Sequence, residues 1–168
     1  MRAVRIALIA LCLQSISGCA HYYTPSPSRP FESIHEFSST NSVTLQNGQS
    51  SKEQISFHTR YYANYNAWTD IAISITEREL TKRGLQIVKD TPKTLTLSIE
   101  SAHTEIGWWL ITSQIVMHVE TSDGYATTFT GKNSSAMVAN IERQIDGAIM
   151  RVVVEMLKDQ RIVSFLTK

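Results

Sequence analysis

Thr94-Leu95-Thr96-Leu97-Ser98-Ile99-Glu100 is the stretch that decides the fold of this chain. Leu95, Leu97 and Ile99 alternate with Thr94, Thr96, Ser98 and Glu100, and successive side chains on a strand point to opposite faces, so one face is buried and the other wetted. Downstream, Trp109, Ile111, Ile115, Met117 and Val119 share one parity, while Thr112, Gln114, His118 and Glu120 share the other. Asp123-Gly124 separates that strand from Tyr125 to Thr130, and these two residues tolerate the positive φ of a two-residue turn, so the spacing predicts a hairpin. A sheet patterned in this way needs cover on one face only.

Two helices are expected to supply the cover. Trp68, Ile71, Ala72 and Ile75 recur at helical spacing, Glu79 can pair with Arg83 one turn on, and Gly84 follows Lys82-Arg83 as a stop, which predicts a helix from about Ala67 to Arg83. Ile141, Ile145, Ala148, Ile149, Val152, Val153, Met156 and Leu157 form a second stripe, with Glu142, Arg143, Asp146, Arg151, Glu155 and Lys158 largely elsewhere on the wheel. Ile162 to Leu166 reads as a last helical turn. Upstream, Ser42 to Leu45 and Ile55 to Thr59 read as a hairpin around Asn47-Gly48, and Leu85 to Val88 as a short strand before the turn at Asp90-Thr91-Pro92. The expected fold is α+β: an antiparallel, meander-like sheet of about four to five strands with two amphipathic helices packed on one face.

The N-terminus reads as an export signal. Arg2 and Arg5 precede an apolar run from Ile6 to Leu13 that is too short to span a bilayer. Ile16-Ser17-Gly18-Cys19 then resembles the lipobox of bacterial lipoproteins; the bare alternative is a secretory signal with an incidental cysteine. The resemblance implies that the Cys19 thiol takes a diacylglyceryl group and that cleavage after Gly18 makes Cys19 the mature N-terminus. Each acyl CH₂ contributes roughly 0.8 kcal/mol, so a multiply acylated end would anchor the chain in the membrane. Ala20 stands where lipoproteins retained in the inner membrane commonly carry Asp, so the resemblance implies the periplasmic leaflet of the outer membrane. The organisation expected is therefore a signal peptide over 1–18, a lipidated cysteine and Pro/Ser tether over 19–30, and one periplasmic domain over 31–168. Three of the four prolines of the chain fall between Ala20 and Pro30, which favours an extended tether. Tyr22 and Tyr23 are expected at the lipid interface; a partner-binding segment is the alternative.

Composition removes several function classes. The chain has 16 Lys and Arg against 15 Asp and Glu, and the signal takes Arg2 and Arg5 with it, so no basic excess points to nucleic acid. Of its two cysteines, Cys12 leaves with the signal and Cys19 is the lipidation site, so the mature domain must be held by its own core.

The five histidines, His21, His35, His58, His103 and His118, show no metal-ligand spacing. His103-Thr104-Glu105 and His118-Val119-Glu120 each place a histidine and a carboxylate on one strand face, a solvated surface that could at most pair or bind a metal weakly. No Gly-x-Ser-x-Gly elbow or phosphate loop occurs. The expectation is no enzyme activity, no cofactor and no metal. Asn133-Ser134-Ser135 reads as a loop before the last helix. Tyr61, Tyr62, Tyr65 and Trp68 either pack under the sheet or line a ligand groove. Trp108 and Trp109 cannot both enter one core if they lie on a strand. Trp109 follows the apolar parity, which leaves Trp108, Leu110 and Val116 as an exposed partner surface; alternatively Glu105 to Leu110 is a loop whose indoles fold back on helix ends.

From Trp68 to Leu166 the chain resembles the YajG-type family of bacterial lipoproteins, through Leu80-Thr81-Lys82-Arg83-Gly84, Leu95-Thr96-Leu97-Ser98-Ile99, the Asp123-Gly124 hairpin, Lys158-Asp159-Gln160-Arg161-Ile162 and Phe165-Leu166. The family has no established catalytic residues to carry over. In helix and strand order alone the chain is also similar to lipopolysaccharide-assembly lipoproteins. The expected function is a non-catalytic interaction or structural module of the envelope, with an envelope protein as partner; the alternatives are a lipid or glycan carrier and an outer-membrane assembly accessory.

Overall fold

In a computed structural model the described residues are 20–26, 34, 36–136 and 140–168. Among the described residues eight strands and three helices follow in the order β1 (His21–Tyr23), β2 (Ser42–Asn47), β3 (Gln54–His58), β4 (Tyr61–Asn64), α1 (Tyr65–Thr81), β5 (Gln86–Ile87), β6 (Thr94–Ile106), β7 (Leu110–Thr121), β8 (Ala126–Ala136), α2 (Ile141–Lys158) and α3 (Gln160–Thr167). The main sheet has the order β5-β2-β6-β7-β8, and a smaller one has the order β1-β4-β3.

The fold is α+β, but its sheets are mixed. β6, β7 and β8 form the expected antiparallel meander, whereas β2 runs parallel to both β5 and β6, and β1 runs parallel to β4. Parallel neighbours need a long crossover, and the chain from β3 through α1 supplies it. The hairpin expected around Asn47-Gly48 therefore does not form: β2 pairs with β5 and β6, and β3 pairs with β4. A period of two reports which face is buried and says nothing about strand direction.

Helix ends follow their caps. Asn64 accepts from the Ala67 N–H at 3.1 Å, so α1 begins at Tyr65, two residues before the expected start. At its other end the Leu85 N–H returns to the Leu80 carbonyl at 3.2 Å, with Gly84 at φ 87°. That geometry closes the helix as the Lys82-Arg83-Gly84 signal implies. Asn140 caps α2 through the Glu142 N–H, and Asp159 caps α3 through the N–H groups of Arg161 and Ile162.

The core lies between the sheet and α1 and α2. Leu95, Leu97 and Ile99 from β6 meet Ile115, Met117 and Val119 from β7, and all eight residues of the α2 stripe are buried with them. Each such aliphatic side chain contributes about 1.5–3 kcal/mol over exposure. Gly131 on β8 lets α2 sit directly on the strand, since a Cβ there would collide with the Ala148 carbonyl oxygen and the Val152 nitrogen. On the other face of the sheet Thr128, Thr130, Lys132 and Ser134 are exposed.

β6 carries a bulge. Ile99 pairs with Met117 and Ser101 with Val116, so Glu100 is the extra residue and parity flips beyond it. Ala102 and Thr104 thereby join the covered face, and Thr104 shares a buried 2.8 Å hydrogen bond with Ser113. β8 runs six residues past the expected Thr130, so Asn133-Ser134-Ser135 is strand and not the loop that its polarity suggested. Asn133 points inward and donates to Gln144 Oε1 of α2 at 3.0 Å, while Gln144 donates to the Ser135 hydroxyl. Tertiary partners satisfy groups that look like loop composition in isolation.

Candidate functional site

The turn between β6 and β7 forms the candidate site. Ile106 and Ile111 are the last cross-strand pair, and beyond them the Gly107 N–H donates to the Leu110 carbonyl at 2.8 Å, leaving Trp108 and Trp109 at the apex. Trp108 is 87% exposed, Trp109 81% and Leu110 53%. Ile106 beside them is also exposed. Leu110 pairs with Ala136 at the end of β8, so the turn sits on the rim of the sheet beside the start of α2.

Trp108 and Leu110 are thus on the surface, as expected. Trp109 is not in the core: its apolar parity carries no weight, because the strand's alternation ends at Ile111 and the turn places both indoles outside. Neither folds back on a helix end. Val116 does lie on the uncovered face, half-buried between Ser101 and Thr130, but it is six residues from Leu110, ~20 Å along an extended strand. Val116 is therefore not part of the tip patch. Cys19, Ile16, Ser17 and Gly18 lie outside the described residues, as do Pro27 to Pro30 of the tether.

His21–Tyr23, expected in the free tether, instead forms a strand of the domain. Tyr23 donates to Asp146 Oδ1 of α2 at 2.7 Å, the Ser26 N–H donates to the same oxygen at 2.9 Å, and His21 Nε2 lies 2.8 Å from Glu142 Oε1. The Trp68 indole N–H completes the seam by donating to the Tyr23 carbonyl at 2.9 Å. Tyr23 is held by the protein, whereas Tyr22 is 65% exposed and stacks loosely on Tyr62. Burial pushes the Tyr23 phenol well above its ordinary range, and the Asp146 carboxylate pushes it further. Burial likewise raises the Asp146 carboxyl, while the bonds from Tyr23 and Ser26 pull it the other way. This seam was not legible beforehand: proline-rich surroundings hid the short aromatic strand.

The remaining polar clusters are structural in geometry. Burial alone would raise the Glu79 carboxyl, but Lys82 at 2.9 Å, Arg83 at 3.2 Å and Arg78 at 3.3 Å outweigh it and hold it below the usual carboxylate range. His118 faces Glu100 at 3.8 Å on the solvated side of the sheet. Among the described residues no three His, Cys, Asp or Glu side chains are grouped to hold a metal, and no helix is long and apolar enough to cross a membrane. Phe57, Tyr65 and Trp68 pack together in the core, so these aromatics fill space beneath the small sheet. A surface groove of about 660 Å³ is lined by Glu36, Phe37, Ser38, Glu79, Lys82 and Arg83, a largely charged lining.

Fold and site together define a small α+β domain, helices on one sheet face, with an indole-bearing turn on its rim. No family model matches the chain, and no curated protein matches it. Among solved structures the chain is similar to the crystal structure of protein XCC0632 from Xanthomonas campestris, of family DUF330, at 12% identity and a TM-score of 0.47, over 88% of this chain and 95% of that one.

Proposed function

We propose that this chain is an envelope lipoprotein of the YajG type, acylated at Cys19, held in the periplasmic leaflet of the outer membrane, and working as a non-catalytic interaction module. One observation carries the interaction reading: Trp108 and Trp109 stand almost fully in solvent at the rim of an otherwise well-packed domain. Exposed indoles raise the cost of a free surface and are typical anchors of contact sites. The sheet face left uncovered by the helices, with Val116 and Thr130 on it, is the surface open to an envelope protein partner.

The test joins address and partner. Mass spectrometry of the native protein should find acyl chains on Cys19, and Cys19→Ala should release the protein from the membrane fraction. Crosslinking in intact envelopes should give a specific protein adduct that the soluble form lacking Cys19 loses. An unmodified amino end, or a Cys19→Ala protein that stays in the membrane, overturns the proposal.

A further inference from the structure

The contacts of β1 give the chain a direction at its N-terminal end. Tyr23 meets Asp146, and two residues closer to Cys19 His21 meets Glu142, one turn nearer the start of α2. The chain therefore runs back toward the end of the molecule where α2 begins. β8 finishes at that same end, and its Ala136 pairs with Leu110, directly beside the Trp108-Trp109 turn. The described N-terminal strand and the tip therefore lie at one end of the domain.

Charge follows the same axis. From Ile106 to Met117 there is no charged residue, and from Asn133 to Ile141 there is none, so the β6–β7 turn and the end of β8 that pairs beside it are neutral. Along these two segments the first charges are set back at Glu105, Lys132 and Glu142, while the exposed Arg60 and Arg143 stand at the same end beside His21 and in the first turn of α2. The opposite end, around the Asp123-Gly124 turn, is ionic: Lys93, Asp123, Arg161 and Lys168 line one groove there. A neutral rim carrying two indoles, Leu110 and Ile106 matches the headgroup and upper acyl zone of a bilayer, where amphipathic aromatic rings settle. An ionic end belongs in water.

We propose that the Trp108-Trp109 turn docks into the interfacial zone of the same leaflet that takes the acyl chains of Cys19, so that the domain sits tip-down with its uncovered sheet face upright. This rests on the lipoprotein reading above and adds the occupant of the tip, a lipid surface. Two points of attachment, one covalent and one through the indoles, then fix the orientation that a lipid tether alone leaves free.

The protein supplies its own probe, because Trp68 is fully buried and Trp108 and Trp109 are the only other tryptophans. The acylated full-length protein is reconstituted into phosphatidylethanolamine and phosphatidylglycerol vesicles containing lipids brominated near the headgroup end of the chain. The expected result is a blue shift and quenching of the tip emission, both lost in the Trp108→Ser/Trp109→Ser variant while the Trp68 signal persists. A vesicle-bound, acylated protein whose tip emission stays red and unquenched overturns the inference and leaves the anchor standing. A protein without acyl mass that does not float with the vesicles overturns both. In intact envelopes a photoreactive residue in place of Trp109 should give lipid adducts, and a protein adduct at that position would overturn the docking proposed.

Discussion

The Tyr23 hydroxyl donates a 2.7 Å hydrogen bond to Asp146 Oδ1, joining residues 123 apart in sequence and fastening the first described strand to the long C-terminal helix. With the phenol pushed up, it keeps its proton and remains the donor, and Asp146 accepts from both Tyr23 and Ser26. The strand next to Cys19 is thereby part of the domain.

Tyr23→Phe should loosen that fastening while keeping the ring against Trp68. The bond is charge-assisted but only partly buried, so the expected loss is about 1 kcal/mol. Amide exchange should quicken across His21–Tyr23 and hardly change in the middle of α2. Equal exchange in the two proteins would mean that the hydroxyl contributes nothing.

Gly131→Ala should be far more damaging than its size suggests. The added methyl meets helix backbone, which cannot rotate away, so α2 must lift from β8. A cost of about 2–3 kcal/mol is expected. The melting temperature should fall by roughly 5–10 °C, checked by circular dichroism.

Glu79 gives the stability an acid limb. Its carboxyl is held below the usual range in the folded chain, so its contribution is complete above the unfolded value and disappears as pH falls through the folded one. Glu79→Gln should lose about 1–2 kcal/mol at neutral pH, less than a fully buried pair because Lys82 and Arg78 are part-exposed. Urea melts at neutral and acid pH should converge for the two proteins as the pH drops; a constant gap would rule this origin out.

Trp108→Ser and Trp109→Ser should each change folding stability by no more than about 0.5 kcal/mol, since both indoles are outside the core. Trp68→Ala, at a fully buried position, should cost about 3–5 kcal/mol. Denaturant melts of the three variants measure the contrast, and a large loss at Trp109 would return that residue to the interior.

How far the fold was legible depends on whether its cause is local. Leu95, Leu97 and Ile99, and the stripe from Ile141 to Leu157, are buried as their periods require. Asp123-Gly124 turns the chain where its backbone freedom predicts, with Gly124 at φ 88°. Non-local causes were hidden. The bulge at Glu100 reverses parity without any mark in composition, and Asn133 passes for loop until Gln144 is across from it. At the candidate site parity placed Leu110 correctly, whereas Trp108 is exposed and Trp109 was misplaced for one reason: both lie in the turn, and nothing local says where a strand ends and its turn begins.

By itself the sequence determined what each segment could bury, because side-chain alternation, helical stripes and caps are set by neighbours a few residues away. It also supplied Cys19 and the charge-free stretches around the tryptophans. Only the tertiary structure decided which strands are neighbours and in which direction, how His21–Tyr23 is seated, and that the N-terminal strand and the Trp108-Trp109 turn share one end of the domain. Those relations join residues far apart in sequence, from 40 positions for His21 and Tyr61 to 123 for Tyr23 and Asp146, and only folding brings such residues close enough to interact.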